Sequence, residues 1–151
     1  MENADRTGTD DLQIGNLLRR AYRTHARAVN AALQPVRMTA QSFVVLDSLS
    51  SNNGLDQTAL SRELHVEKAA LTSTLRQLIN DGFIRRTADS EDGRRQLVFL
   101  TKKGADFLVK NRPKLHHVRD RATAGISAAD LRKLVLTLEK VIVNIDTHLD
   151  E

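Results

Sequence analysis

Leu55-Asp56-Gln57-Thr58-Ala59-Leu60-Ser61-Arg62-Glu63-Leu64-His65-Val66-Glu67-Lys68-Ala69-Ala70-Leu71-Thr72-Ser73-Thr74-Leu75-Arg76-Gln77-Leu78-Ile79 decides the fold. It is followed by Gly82-Phe83-Ile84-Arg85-Arg86, a polar loop, and Arg94-Arg95-Gln96-Leu97-Val98-Phe99-Leu100-Thr101. The spacing predicts one short helix over Gln57 to Leu64, a tight turn, and a second helix over Lys68 to Ile79. Gly82 stops it, and two short strands then enclose a polar tip from Thr87 to Arg95. Two short helices joined by a few residues can set the second into a DNA major groove. A neighbouring hairpin can carry arginine into the adjoining minor groove. The expected core is a winged helix-turn-helix, in a chain that is mainly α with a small β-hairpin wing.

On the second helix Leu71, Leu75 and Leu78 share one face and are assigned to the core. Ala69, Thr72, Ser73 and Arg76 fall at i, i+3, i+4 and i+7 on another face. Small residues there let the backbone approach base edges. Arg76 can reach phosphate or guanine, Thr72 phosphate or a thymine methyl, and Lys68 a phosphate from the first turn. In the wing, Asp92 and Arg94 flank Gly93, so a carboxylate there can brace the tip and orient the arginine. Arg94 is expected in the minor groove and Arg95 on phosphate. A solvated polar helix face and an exposed salt-bridged hairpin are the plainer readings of the same residues.

The flanks are helical. Apolar residues at Ile14, Leu17, Leu18, Ala21, Tyr22, Ala28, Val29, Ala32 and Leu33 keep a helical period until Pro35. Thr39, Asp56 and Thr101 are expected N-caps, and Ser127 with Asp130 resembles a capping box. Pro113 is expected to kink or break the fifth helix. In the last helix Leu131, Leu138 and Ile145 are seven apart. So are Leu134, Val141 and His148, and Val135, Ile142 and Leu149. Such a stripe calls for a helical partner, with Leu131, Leu134, Leu138, Val141, Ile142 and Ile145 at the interface. The expected organisation is a flexible tail over 1–10, a helical dimerisation region from 11–36 and 105–151, and a DNA-binding domain over 37–104.

Composition bounds the rest. The 151 residues carry a net charge of +4. The segment from Leu55 to Thr101 is nevertheless neutral: Arg62, Lys68, Arg76, Arg85, Arg86, Arg94 and Arg95 are matched by Asp56, Glu63, Glu67, Asp81, Asp89, Glu91 and Asp92. A positive surface there requires folding to sort the signs. The absence of cysteine excludes disulfides, thiolate catalysis and cysteine metal sites. His25, His65, His116, His117 and His148 have no metal-site spacing, so no metal and no cofactor is expected. No phosphate loop or nucleophile elbow is present, and Asp89, Glu91 and Asp92 sit on a hairpin tip with nothing to perturb them; no catalytic residue is expected. An acidic start unlike a signal peptide, and no apolar run of membrane-spanning length, point to a cytoplasmic protein without membrane contact. Arg20, Arg23 and Arg27, on one face of the first helix, with Tyr22 and His25 beside them, are the candidate ligand-binding residues; a solvated charged face is the alternative.

The order of parts resembles the MarR family of bacterial transcriptional regulators. The residues that carry the resemblance are Met38-Thr39-Ala40-Gln41, Leu60-Ser61-Arg62-Glu63-Leu64, Leu71-Thr72, Leu78, Gly82-Phe83-Ile84-Arg85-Arg86, Asp92-Gly93-Arg94-Arg95 and Leu100-Thr101-Lys102-Lys103-Gly104. The resemblance implies a homodimer joined by its N- and C-terminal helices, with one winged helix per protomer on a palindromic double-stranded DNA operator. It further implies a repressor released by a small-molecule ligand such as an aromatic acid, a phenolic or a thioester. The family often places arginine directly after the recognition-helix threonine, where this chain has Ser73. The alternative function is a winged-helix architectural or activator protein without an effector.

Overall fold

The structure, a computed structural model, describes residues 8–149, with side-chain surroundings for 13–147. Six helices and three short strands follow one another along the chain. They are α1 (Gly8–Leu33), α2 (Ala40–Ser51), β1 (Leu55–Asp56), α3 (Gln57–Leu64), α4 (Lys68–Asn80), β2 (Ile84–Ala88), β3 (Gln96–Leu100), α5 (Lys102–Ala122) and α6 (Ala128–Leu149). A single 3-10 turn over Gln34–Val36 holds Pro35, and α1 ends just before it. Helix α1 begins at Gly8, inside the segment read as tail; residues 1–7 lie outside the described part. The described residues fall into two compact units, divided between Val118 and Arg119.

All four expected caps form. Thr39 Oγ1 accepts from the Ser42 N–H at 3.1 Å, Asp56 Oδ1 from Ala59 at 2.7 Å, Thr101 Oγ1 from Gly104 at 3.1 Å and Ser127 Oγ from Asp130 at 3.1 Å. Ser127 and Asp130 do not complete a capping box. The Asp130 carboxylate accepts from the Ser127 hydroxyl at 2.7 Å, because aspartate is too short to reach back to the capping residue's backbone.

The core of the first unit gathers apolar faces from every element. Phe43, Val45, Leu46 and Leu49 of α2, Leu60 of α3 and Leu71, Leu75 and Leu78 of α4 are buried with Ile84 and Val98 of the sheet. Val29 and Leu33 of α1 and Leu108 of α5 join them. The winged-helix core therefore extends past 37 and 104 into both flanking helices. Burial of such side chains contributes roughly 1.5–3 kcal/mol each before entropy opposes it.

The sheet is antiparallel in the order β1-β3-β2. In β2 and β3, Ile84 faces Leu100 and Ala88 faces Gln96. The two residues of β1 pair with β3 as Leu55 with Val98 and Asp56 with Leu97. This third strand is an addition to the two-stranded hairpin read from sequence; two residues are too few to show an alternating pattern.

Pro113 does not break α5, which is continuous from Lys102 to Ala122. The ring removes only the bond that residue 113 would have given to Val109, whose side chain is 71% exposed. Packing holds the helix on both sides: Leu108 is buried, Leu115 and Val118 are partly buried. Arg112 also donates to Asp47 Oδ1 of α2 at 2.8 and 3.1 Å.

The Leu100-Thr101-x-x-Gly104 motif has a steric reason. Thr101 Oγ1 lies 2.8 Å from the Gly82 carbonyl and 2.9 Å from that of Phe83, both of which can accept its proton. The first turn of α5 is thereby held against the residues that lead into β2. A Cβ on Gly104 would fall inside contact distance of the Phe83 carbonyl oxygen and 2.6 Å from Leu100 Cδ1. Gly104→Ala is therefore expected to cost about 3 kcal/mol, lowering Tm by roughly 10 °C in a chain of this size. A thermal melt checks it, and an unchanged Tm would refute the contact.

Candidate nucleic-acid interface

The turn between α3 and α4 is three residues, His65 to Glu67. His65 adopts the left-handed conformation at φ 49° and closes α3, with its N–H on the Arg62 carbonyl. Ser61 Oγ donates to the Val66 carbonyl at 2.6 Å and fixes the turn from inside. With Leu71, Leu75 and Leu78 turned inward, Lys68, Ala69, Ser73 and Arg76 are left exposed on the outer face of α4. Thr72 sits at the edge of that face, half-buried. Its hydroxyl donates to the Lys68 carbonyl at 2.7 Å and accepts from Gln57 Nε2 at 2.5 Å.

The wing arginines divide into tied and untied. Arg85 lies over the Phe99 ring at 4.7 Å and donates to Thr87 Oγ1. Arg86 donates to Gln57 Oε1 at 3.3 Å. Arg95, expected on phosphate, instead pairs with Asp56 Oδ2 at 2.6 Å and lies 3.8 Å from Asp89 Oδ2. Among the described residues, no ion pair engages Lys68, Arg76 or Arg94. Asp56 and Asp89 are taken up by Arg95, and Glu63 accepts from Ser48 and Asn52 on the α2 side. Part of the negative charge of the neutral segment is thereby engaged, while Glu67, Glu91 and Asp92 stay exposed.

The tip from Asp89 to Arg95 is held by bonds from its backbone N–H groups. Asp89 Oδ1 accepts from Glu91 at 3.0 Å, and the Arg95 N–H donates to the Asp92 carbonyl at 2.8 Å. Asp92 Oδ1 accepts from the backbone N–H of Arg94 at 3.1 Å. The Asp92 carboxylate thus meets the backbone of Arg94 and not its guanidinium. The guanidinium remains unpaired among the described residues.

Asp56 does two jobs of which the sequence disclosed one. It caps α3 and anchors the root of the wing through Arg95. The Ala59 N–H, and after it Arg95, hold its carboxyl below the usual carboxylate range, against the opposing pull of partial burial. A lowered folded-state pKa gives stability that is present above the unfolded value of 3.8 and lost as pH falls through the lower folded value. Asp56→Asn keeps a capping oxygen and removes the charge. Wild type is expected to melt higher than Asp56→Asn at pH 7 and to converge with it as pH falls below the ordinary carboxylate range and through the lowered folded value; parallel melting curves down to strongly acidic pH would refute the pairing.

Of the candidate ligand-binding residues, the three arginines come together, and Tyr22 and His25 lie apart from them. Tyr22 is 73% exposed and lines an open groove of about 770 Å³ with Asn30, Met38 and Gln41 on one side and Ser73 and Gln77 of α4 on the other. Arg20, Arg23 and Arg27 line a separate basic groove of about 490 Å³ along α1, joined by Asn16, Arg19 and Thr24. His25 is exposed and lines neither groove. Arg19 donates to Asn16 Oδ1 at 2.6 Å. Among the described residues no group of three or more His, Cys, Asp or Glu side chains could hold a metal ion, and no helix is long and apolar enough to cross a membrane.

On α6, Leu134, Val135, Ile142 and Ile145 are about half exposed, and Leu131, Leu138 and Val141 are partly covered. Leu136 and Val143 are more exposed still, at 66% and 61%. They too are seven apart and lie outside the three apolar rows. His148 and Leu149, which extend two of those rows, fall outside the residues with described side chains.

Two helices about a three-residue turn, an outward polar face on the second, and a hairpin with an unpaired arginine define a winged helix-turn-helix protein. Residues 38–95 match the MarR family. An HTH-type transcriptional repressor of Mycobacterium tuberculosis is 31% identical over 132 residues, spanning 87% of this chain and 95% of that protein. The repressor NicR of Pseudomonas putida is 25% identical over 130 residues, 86% of this chain and 82% of its own. Among solved structures, a cysteine-to-serine variant of MarR from Escherichia coli in complex with operator DNA is 27% identical with a TM-score of 0.81, covering 87% of this chain and 95% of that one. The chain belongs to the MarR family of transcriptional regulators, and it is a regulator, not an enzyme.

Proposed function

We propose that two copies of this chain bind a palindromic operator and repress transcription, and that a small aromatic acid, phenolic or thioester releases them. The observation that carries the DNA reading is the sorting of charge. Lys68, Arg76 and Arg94 are exposed and unpaired among the described residues, on the two elements that reach adjacent grooves, while Arg85, Arg86 and Arg95 are tied to the protein. In this reading Ala69 and Ser73 let α4 approach the bases, Arg76 reads the major groove, Arg94 enters the minor groove, and Lys68 meets phosphate. Arg95 and Thr72 act from behind by holding wing and helix in place, and Asp92 braces the tip. An operator-bound protein works in the bacterial cytoplasm.

Dimerisation is supported by the apolar lines of α6 and by exposed Ile14, Leu17 and Leu18 on α1. Two winged helices must then match half-sites ~34 Å apart. The groove between Tyr22 and Ser73 touches the recognition helix and is the favoured place for an effector. A ligand there acts only through its different affinity for the DNA-competent and released geometries. The arginine groove of α1 is a second anion site under the same proposal.

The test is selection of binding sequences from random duplex DNA, followed by titration of the complex with benzoate, salicylate and a phenol. Recovery of an inverted repeat, with DNA release by one probe, supports the full reading. An inverted repeat that no probe releases, with no thermal shift, leaves a regulator without such an effector. Recovery of no preferred sequence would overturn the operator reading itself.

A further inference from the structure

Side by side at the start of α3, Asp56 and Gln57 join the recognition helix to the wing. Asp56 pairs through its backbone with Leu97 of β3 and through its carboxylate with Arg95. Gln57 faces the other way. Its Nε2 donates to Thr72 Oγ1 at 2.5 Å and to the Lys68 carbonyl at 3.1 Å, both in the first turns of α4. Its Oε1 accepts from Arg86 of β2 at 3.3 Å. One half-buried amide therefore reads both elements that the proposed complex places in adjacent grooves. Its nitrogen and its oxygen are each directed at one of them.

We infer that Gln57 is a positioning residue that sets the register between the recognition helix and the wing, so that Arg94 meets the minor groove when α4 is seated in the major groove. The inference rests on the DNA reading above. Its physical basis is chelation. Two contacts made by one rigid body add their free energies only when the body already holds the right separation; a loose joint loses part of the second contact to ordering. Lys68 O and Thr72 Oγ1 belong to the first turns of α4, and Arg86 to the strand that leads into the tip, so the amide spans the joint. A neutral glutamine serves this better than a charged group. It satisfies a carbonyl, a hydroxyl and a guanidinium at once, and a carboxylate would face the Lys68 carbonyl without a proton to give.

The experiment uses the full chain and an operator selected from random DNA. Binding is measured for wild type, Gln57→Leu, Arg94→Ala and the double variant, with Gln57→Ala as the second form should the leucine variant fail to fold. Folding is checked by Tm. Gln57→Leu is expected to weaken binding about fivefold, the scale of a lost hydrogen-bonded joint. It should also shrink the preference for A·T over G·C under the wing. In the Arg94→Ala background the same change is expected to have almost no further effect, because the contact it aims is already gone. A fivefold loss of the same size in both backgrounds would overturn the inference, since that is what a general structural role or a direct DNA contact by Gln57 produces. So would an undiminished A·T preference in Gln57→Leu. Failure of wild type to select any sequence would instead overturn the operator reading, and is distinguishable from both.

Discussion

Leu138→Glu combined with Val141→Glu is expected to yield a monomer that no longer holds a palindromic operator. The two positions lie in neighbouring heptad rows of α6 and are already partly covered within one chain. A partner helix laid along Leu134, Ile142 and Ile145 would bury them fully. Each unpaired carboxylate at such a seam costs about 3–5 kcal/mol, and a twofold interface repeats every change. The sum exceeds what most dimers have in reserve. Sedimentation at micromolar concentration reads the outcome directly. A soluble double variant that still sediments as a dimer would move the interface elsewhere. The exposed line of Leu136 and Val143 would then be the next candidate.

Arg94→Ala is expected to reduce operator affinity more than tenfold, about 1.4 kcal/mol or above, with Tm little changed because no ion pair among the described residues engages that side chain. Asp92→Ala is the informative companion. Its carboxylate repels phosphate, so a wing acting only as a charge patch predicts tighter binding after its removal. Yet Asp92 Oδ1 holds the Arg94 backbone N–H at 3.1 Å. Without that bond the tip loses its shape and Arg94 its direction, so weaker binding is expected. Titrations of both variants at two salt concentrations separate the two accounts: tighter binding by Asp92→Ala would refute the brace.

Much of this architecture was legible in the residues because the elements are short, strongly punctuated and consistent with one another. Asp56, Gly82 and Thr101 mark element ends by their own chemistry, and the Leu71, Leu75, Leu78 spacing orients α4 without further information. What was not legible is pairing across the fold. Nothing local to Arg95 reveals that its partner is Asp56, 39 positions away, and a basic residue beside Arg94 invites assignment to DNA. Gln57 was silent for the same reason, since a polar residue at a helix start has many plain roles. Pro113 does not end its helix because packing on both sides overrides the local propensity to break. The candidate ligand residues divide for another reason. Tyr22, His25 and the three arginines are neighbours in sequence on one helix, but a helix turns its successive residues to different sides, and the grooves divide them.

The claim at the centre of the account is that α4 and the wing read two adjacent stretches of each half-site through Arg76 and Arg94. The most direct test is a base-by-base substitution profile of the selected operator, recorded for wild type, Arg76→Ala and Arg94→Ala. Arg76→Ala is expected to relax preference at one position per half-site, by about 1–3 kcal/mol. Arg94→Ala should relax only an A·T preference in the flanking stretch, the two windows adjoining without overlap. If both variants weaken every sequence equally and leave the wild-type profile unchanged in shape, neither residue reads the operator and the account is contradicted.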